Sequence, residues 1–220
     1  EKMKRNLEGR CLAFVLCNNS IGAVTGYIAL FNNRVVPVLL NAHIEKGLLD
    51  NLLALYHPAY LWVPKEQAGQ IAGQIVLEGY GYCLIKTSYK AKTILYDELG
   101  LLLTTSGSTG SPKFVRQSYN NIRANAEQIA QYLELDSSEL PITTLPMNYT
   151  YGLSIIHSHL LVGATILLTD RGLMQREFWD FFRSAGATSF GGVPYTYEML
   201  EKIHFRKMDL PSLRYMTQAG

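Results

Sequence analysis

The sequence predicts an α/β protein built from layered, mostly parallel sheets flanked by helices. Three observations carry this expectation. Short continuous apolar runs alternate with helix-period segments along the chain, the pattern of strands joined by crossover helices. Hydrophobic residues make up 48% of the sequence and charged residues 17%, a globular composition. The 220 residues are also enough to bury a substantial core.

The elements follow in order. Residues 11–17, "CLAFVLC", read as a buried strand. Residues 20–33 read as a helix with Ile21, Val24, Ile28 and Phe31 on its apolar face. "VVPVLL" (35–40) is the next strand, although Pro37 lacks an amide donor. A helix over 44–56 is carried by Leu48, Leu49, Leu52, Leu53 and Tyr56, and "YLWVP" (60–64) is a strand. Between 75 and 95 two short strands are expected around Gly79 and Gly81. "LGLLLTTS" (99–106) is a strong strand, and "FVRQS" (114–118) a returning one. Ser118 is placed to cap a helix at 119–133 with Ile122, Ala126, Ile129, Ala130 and Leu133 on one stripe.

The pattern then repeats in kind. "PITTLP" (141–146) and "ATILLTD" (164–170) are expected as strands, with a helix over 151–163 between them. A helix at 175–185 should point Phe178, Trp179 and Phe182 inward. "ATSFGGVP" (187–194) reads as strand and turn, 195–203 as a helix, and "LRYMTQAG" (213–220) as a final strand. The turn "DSSELP" (136–141) suggests a boundary between a first subdomain, 1–135, and a second, 136–220, incomplete at its C-terminal end.

Composition narrows the function. A net charge of +2 without runs of like charge gives no reason to expect a nucleic-acid partner. No apolar run reaches the ~18 residues of a membrane span. Cys11, Cys17 and Cys83 form no C-x-x-C pair and read as buried thiols of a reducing compartment. The chain opens on glutamate with no signal peptide after it, so a cytoplasmic location and a start further upstream are expected. His157 and His159, two apart on a helix, face different sides and read as packing or surface residues, so no metal site is expected. Asp97–Glu98 reads as a solvated turn, and no G-x-S-x-G motif occurs.

The segment "TTSGSTGSPK" (104–113) stands apart, because it buries little apolar surface. Gly107 and Gly110 let amide N–H groups converge on an anion. Thr105, Ser106, Ser108 and Thr109 add hydroxyl donors, and Lys113 adds charge. This chemistry suits a polyphosphate. The segment is not a P-loop: Pro112 separates Gly110 from Lys113, and Phe114 follows the lysine where Ser or Thr is required.

This segment closely resembles the phosphate loop of the adenylate-forming superfamily of acyl-CoA synthetases, nonribosomal peptide adenylation domains and luciferases. Other segments agree in the family's order. "SYNNIRANAEQI" (118–129) resembles the helix after the loop, and "LPMNYTYGL" (145–153) the segment with the gate between the ATP and acyl pockets. "GGVPYTYEML" (191–200) is similar to the acyl-pocket strand and helix, and "LRYMTQAG" to the start of the turn that approaches adenine. The resemblance spans about 35–220 and is strongest from Leu101.

It implies ATP binding by residues 105–110, Lys113, Ala219 and Gly220, with Lys113 also catalytic. It implies acyl-substrate contacts at Tyr149, Gly152 and Val193. The expected reaction activates a carboxylic acid as an acyl-adenylate, releases pyrophosphate, and passes the acyl group to a thiol of CoA or of a carrier protein. Magnesium would be held through phosphate oxygens. Two departures matter. Phe114 stands where the family usually has glycine. Tyr149 stands where many acyl-CoA synthetases have histidine and amino-acid-activating domains usually have aspartate, so plain carboxylic acids are favoured over α-amino acids.

Family members are about twice as long and carry a ribose-binding aspartate and a catalytic lysine in later segments. The chain is therefore expected to be an N-terminal portion, inactive alone. Two alternatives remain beside this reading: a nucleotide- or anion-binding module of another phosphoryl-transfer type, and a non-catalytic scaffold keeping the fold.

Overall fold

The computed structural model describes residues 1–89, 94–104 and 113–219. Contacts divide the chain into two compact units, Glu1–Ile122 and Arg123–Gly220.

The first unit is built on a seven-stranded sheet in the order β4-β5-β3-β1-β2-β6-β7. Its strands are β1 (Leu12–Cys17), β2 (Val36–Asn41), β3 (Tyr60–Pro64), β4 (Gln74–Gly79), β5 (Tyr82–Lys86), β6 (Leu99–Thr104) and β7 (Phe114–Ser118). The central pairs β1–β2, β1–β3 and β2–β6 are parallel. Antiparallel pairs flank them on both sides, β3–β5 and β4–β5 at one edge and β6–β7 at the other.

The parallel centre is covered on both faces, which is why its strands read as continuous apolar runs. Phe14, Leu16, Val36, Val38, Leu61 and Val63 pack into one cluster with Leu49 and Leu52 of α2 (Lys46–Tyr56). Leu48, Leu53 and Tyr56 complete that helix's expected face. Residues of opposite parity meet α1 (Ile21–Asn32), whose carbonyl at Gly22 accepts a 2.8 Å hydrogen bond from Trp62 Nε1.

The face of α1 departs from expectation. Ile21 is exposed, and the buried residues are Gly22, Ala23, Val24, Gly26, Tyr27 and Leu30. Counting large residues misses the reason. A Cβ at Gly26 would lie 1.9 Å from the Trp62 ring nitrogen, so the helix presents a glycine there to approach the sheet.

Pro37 sits in the interior strand β2 without losing a ladder bond. The Val36 amide donates to Cys11 O, so alternation turns the Pro37 nitrogen toward β6. The β2–β6 register begins only at Val38, opposite Leu102. The expected pair of strands around Gly79 and Gly81 is the β4–β5 hairpin. Tyr80 and Gly81, both at positive φ, supply its two-residue turn. Ser118 caps α3 (Tyr119–Tyr132) as expected, its hydroxyl accepting from the Asn121 amide at 3.0 Å.

The second unit contains α4 (Thr150–Leu161), α5 (Arg176–Ala185), β8 (Ser189–Gly192), α6 (Pro194–Lys202) and β9 (Tyr215–Gln218). β8 and β9 pair in parallel, with Ser189 opposite Tyr215 and Gly191 opposite Thr217. Phe178, Trp179 and Phe182 are buried as expected and pack with Phe190 and Leu200.

The expected strands at 141–146 and 164–170 are not strands. Each contributes only isolated bridges, Pro141 to Ser189 and Ile142 to Leu167. Pro141 and Pro146 have no amide to donate. The Thr143 amide still donates to Leu167 O, but the Thr143 side chain takes the next rung: its hydroxyl donates to Thr169 O (3.0 Å) and accepts from the Thr169 amide (2.9 Å). The segment 136–141 is a turn whose Asp136 carboxylate accepts from the Ser138 amide at 2.7 Å. Cys11, Cys17 and Cys83 are free and buried. Among the described residues no helix is long and apolar enough to cross a membrane.

Candidate functional site

Parallel strands collect ligands at their carboxyl ends. In the second unit a cavity of about 600 Å³ lies beside β8 and β9. The strand period explains its wall. Ser189 and Gly191 of β8, with Tyr215, Thr217 and then Ala219 along β9, alternate onto one face. Phe190, between them, packs among the aromatic residues of the core. Tyr149, Tyr151, Ser154, Ile155 and His159 close the cavity from α4 and its N-cap. Gln128, Ile129 and Tyr132 contribute from α3.

A glycine lets α4 pack closely against β8. A Cβ at Gly191 would stand 2.5 Å from Ile155 Cδ1 and 3.0 Å from the Tyr151 hydroxyl. The polar groups of the wall are held by one another. Tyr151 donates to Thr217 Oγ1 at 2.7 Å, and Tyr197 donates to Thr217 O at 2.7 Å. His159 is 3% exposed. Its Nδ1 lies 2.8 Å from Ile155 O, which requires a proton on that nitrogen, so the neutral ring accepts the Tyr215 hydroxyl at Nε2, 3.2 Å away.

Burial sets the charge state of the wall. It lowers the pKa of His159, against the opposing pull of the Ile155 carbonyl and Glu139. It raises the phenols of Tyr151 and Tyr215. Among the described residues, the cavity wall carries no Asp, Glu, Lys or Arg. Behind Tyr215, the buried Glu139 accepts from Arg214 Nη1 and Thr188 Oγ1, both at 2.7 Å.

Of the residues expected at a site, Tyr149 and Ala219 come together in this wall. Gly152 and Val193 are not part of it. Gly152 lets the first turn of α4 press on Pro146, whose carbonyl would be 2.4 Å from a Cβ. Val193 opens α6, donating to Thr196 Oγ1 at 3.1 Å. Residues 105–110 and Gly220 lie outside the described residues. Lys113 is exposed and directly precedes β7 in the first unit, where Phe114 pairs with Thr104 at the end of β6. A larger groove on the first unit, about 870 Å³, has none of the expected residues in its wall.

The sequence reading did not single out Tyr151, His159, Gly191 or Tyr215 as site residues. The available signal was parity: Ser189, Gly191, Tyr215 and Thr217 alternate with Phe190 and Met216 along two short strands.

Comparison with known proteins agrees with this architecture. The chain is 27% identical to the acyl-CoA synthetase ALT10 of Alternaria alternata over 167 residues, covering 74% of this chain and 25% of that protein. It is 27% identical to the medium-chain fatty-acid–CoA ligase of Escherichia coli over 125 residues, covering 56% of this chain and 22% of that protein. The chain thus spans about a quarter of these curated relatives' length. The fold matches that of o-succinylbenzoate CoA synthetase from Bacillus subtilis, solved with an acyl-adenylate intermediate. The TM-score is 0.76 at 21% identity, over 100% of this chain and 58% of that one. Residues 9–220 match the family of AMP-binding enzymes. The chain belongs to that family, the adenylate-forming superfamily, and corresponds to the N-terminal part of its large domain.

Proposed function

We propose that the protein carrying this chain activates a carboxylic acid with ATP and then transfers the acyl group to a thiol, with CoA as the acceptor. The observation that carries this reading is the cavity of the second unit, where Tyr149 and Ala219 share one wall at the carboxyl end of a parallel strand pair. The relatives named above are CoA ligases by name, which supports CoA as an acceptor, and a carrier-protein thiol is the second candidate.

In the first step a carboxylate oxygen bonds to the α-phosphorus of ATP. The bond from that phosphorus to the bridging oxygen breaks, and pyrophosphate leaves with the electron pair. Little covalent work falls to the protein, so alignment and charge stabilisation set the rate. Residues 105–110 would cradle the β- and γ-phosphates through amides and hydroxyls. Lys113 would offset charge building on the pyrophosphate. Magnesium would bind through phosphate oxygens, and Ala219 and Gly220 would lie against the nucleotide. Tyr149 would stand between the nucleotide and the acid, with Gly152 and Val193 shaping the backbone around the acyl group. A tyrosine there offers no carboxylate to an ammonium group, which favours plain acids over α-amino acids.

The test is acid-dependent exchange of labelled pyrophosphate into ATP by the intact protein. Exchange should appear with at least one carboxylic acid. Lys113→Ala should lower it by about 100-fold, the effect of losing about 3 kcal/mol of transition-state stabilisation. Undiminished exchange in the variant would remove Lys113 from the reaction. Intact ATP binding without exchange for any acid would point to transfer of a different group.

A further inference from the structure

The carboxyl end of β9 is fastened from both faces of its sheet. β8 and β9 form a two-stranded parallel pair of four residues each. So short a parallel pair is weak as a ladder. Its pairing loosens toward the carboxyl end, where the Ala219 amide lies 3.4 Å from Gly192 O, longer than such a bond usually is. Just before that point two phenols converge on Thr217. Tyr151 of α4 donates to its Oγ1 and Tyr197 of α6 to its main-chain oxygen, both at 2.7 Å. Burial raises the pKa of both phenols, so both remain donors at neutral pH.

The adjacent glycines of β8 admit the two rings. A Cβ at Gly191 would stand 3.0 Å from the Tyr151 hydroxyl, and one at Gly192 would stand 3.0 Å from Tyr197 Cε2. Consecutive strand residues point to opposite faces, so Tyr151 approaches from one face and Tyr197 from the other. Tyr151 is part of the cavity wall. Tyr197 is not, and its ring packs against the aromatic core. The amino end of β9 is fixed separately. There the Glu139 carboxylate accepts from Arg214 Nη1 and Thr188 Oγ1, which belong to the residues just before β9 and β8.

Resting on the adenylation reading above, we propose that Tyr197 is a positioning residue for the nucleotide. Through Thr217 O it holds the end of β9, so that Ala219 meets the nucleotide at a fixed place. The bond from Tyr151 to the Thr217 side chain is separate, and it keeps the acid side of the wall in place when the Tyr197 bond is lost.

The experiment measures ATP binding to the intact protein by calorimetry, and the KM values for ATP and for acid in pyrophosphate exchange. Tyr197→Phe keeps the packed ring and loses only the hydroxyl. It should raise the Kd and KM for ATP about fivefold, the worth of one hydrogen bond. The KM for acid should stay within about twofold. Phe205→Leu removes a ring from the same core and leaves the Tyr197 hydroxyl in place. It should leave the Kd and KM for ATP within about twofold.

Unchanged ATP binding in Tyr197→Phe would overturn the proposal. An equal loss in Phe205→Leu would also overturn it, because the effect would then be one of core stability. Either result would leave adenylation standing. ATP binding without exchange for any acid would overturn adenylation, and the calorimetric comparison of the two variants would still decide the role of Tyr197. An intact protein that binds no ATP would overturn both.

Discussion

The two units treat the faces of their parallel strands in opposite ways. In the first, both faces of the central strands are filled: Phe14, Leu16 and Val38 meet the α2 side, and Trp62 meets α1. In the second, one face of β8–β9 is filled by aromatic packing around Phe190, with Trp179 and Phe182 ring centroids at 6.4 and 6.2 Å from it. The other face carries Ser189, Gly191, Thr217 and Ala219 and opens into the cavity. Glycine serves both designs. Gly26 admits the Trp62 ring and Gly191 admits the Cδ1 end of Ile155, so each lets a helix close onto a strand.

The contrast can be broken most strongly at the aromatic cluster. Phe182→Ala removes a fully buried ring from the aromatic core of the second unit and should cost about 3–5 kcal/mol. Hydrogen exchange resolved by segment should show that loss in α5 and β8 while β1 keeps its protection. An equal loss in β1 would mean that the two units open as one cooperative structure.

A somewhat smaller effect follows from pH. Burial lowers the pKa of His157 from 6.5 to about 4. Between those values the unfolded chain binds a proton that the folded chain refuses. Stability is then complete above about pH 6.5 and falls as pH drops toward 4, by up to about 3 kcal/mol. Urea unfolding at pH 7 and pH 4.5 should show this, and His157→Gln should flatten the difference. A wild-type stability unchanged between the two pH values would place the imidazole in water.

The smallest expected effect is at the helix that follows β7. Ser118→Ala removes the hydroxyl that accepts from the Asn121 amide and should cost about 1 kcal/mol. Exchange protection over the first turn of α3 measures it. No change there would mean that α3 is held by side-chain packing, Ile122 and Ala126 included, and not by its cap.

Much of the fold was legible because local chemistry and tertiary packing agree. β1, β3 and β6 are apolar on both faces and were recognisable without partners. The Ser118 cap and the turn at Tyr80–Gly81 are local hydrogen-bond and dihedral facts. Failures occurred where a residue's role depends on what it touches. The α1 face was misjudged because large side chains were counted and the contact is made by glycines. The segments 141–146 and 164–170 carry strand-forming residues, yet after two backbone rungs a threonine hydroxyl takes the next and the pairing stops.

The site divides in the same way. Sequence alone led to the family, through the resemblance of residues 104–113 and of the segments that follow them to adenylate-forming enzymes. It also pointed to Tyr149 and Ala219. Only the tertiary structure decided that these two share a wall with Gly191, His159 and Tyr215, residues far apart along the chain. The Tyr215 hydroxyl on His159 Nε2 and the close approach of Ile155 to Gly191 each depend on a neighbour brought from another element. Those neighbours are set by strand register and helix packing, which no single stretch of sequence contains.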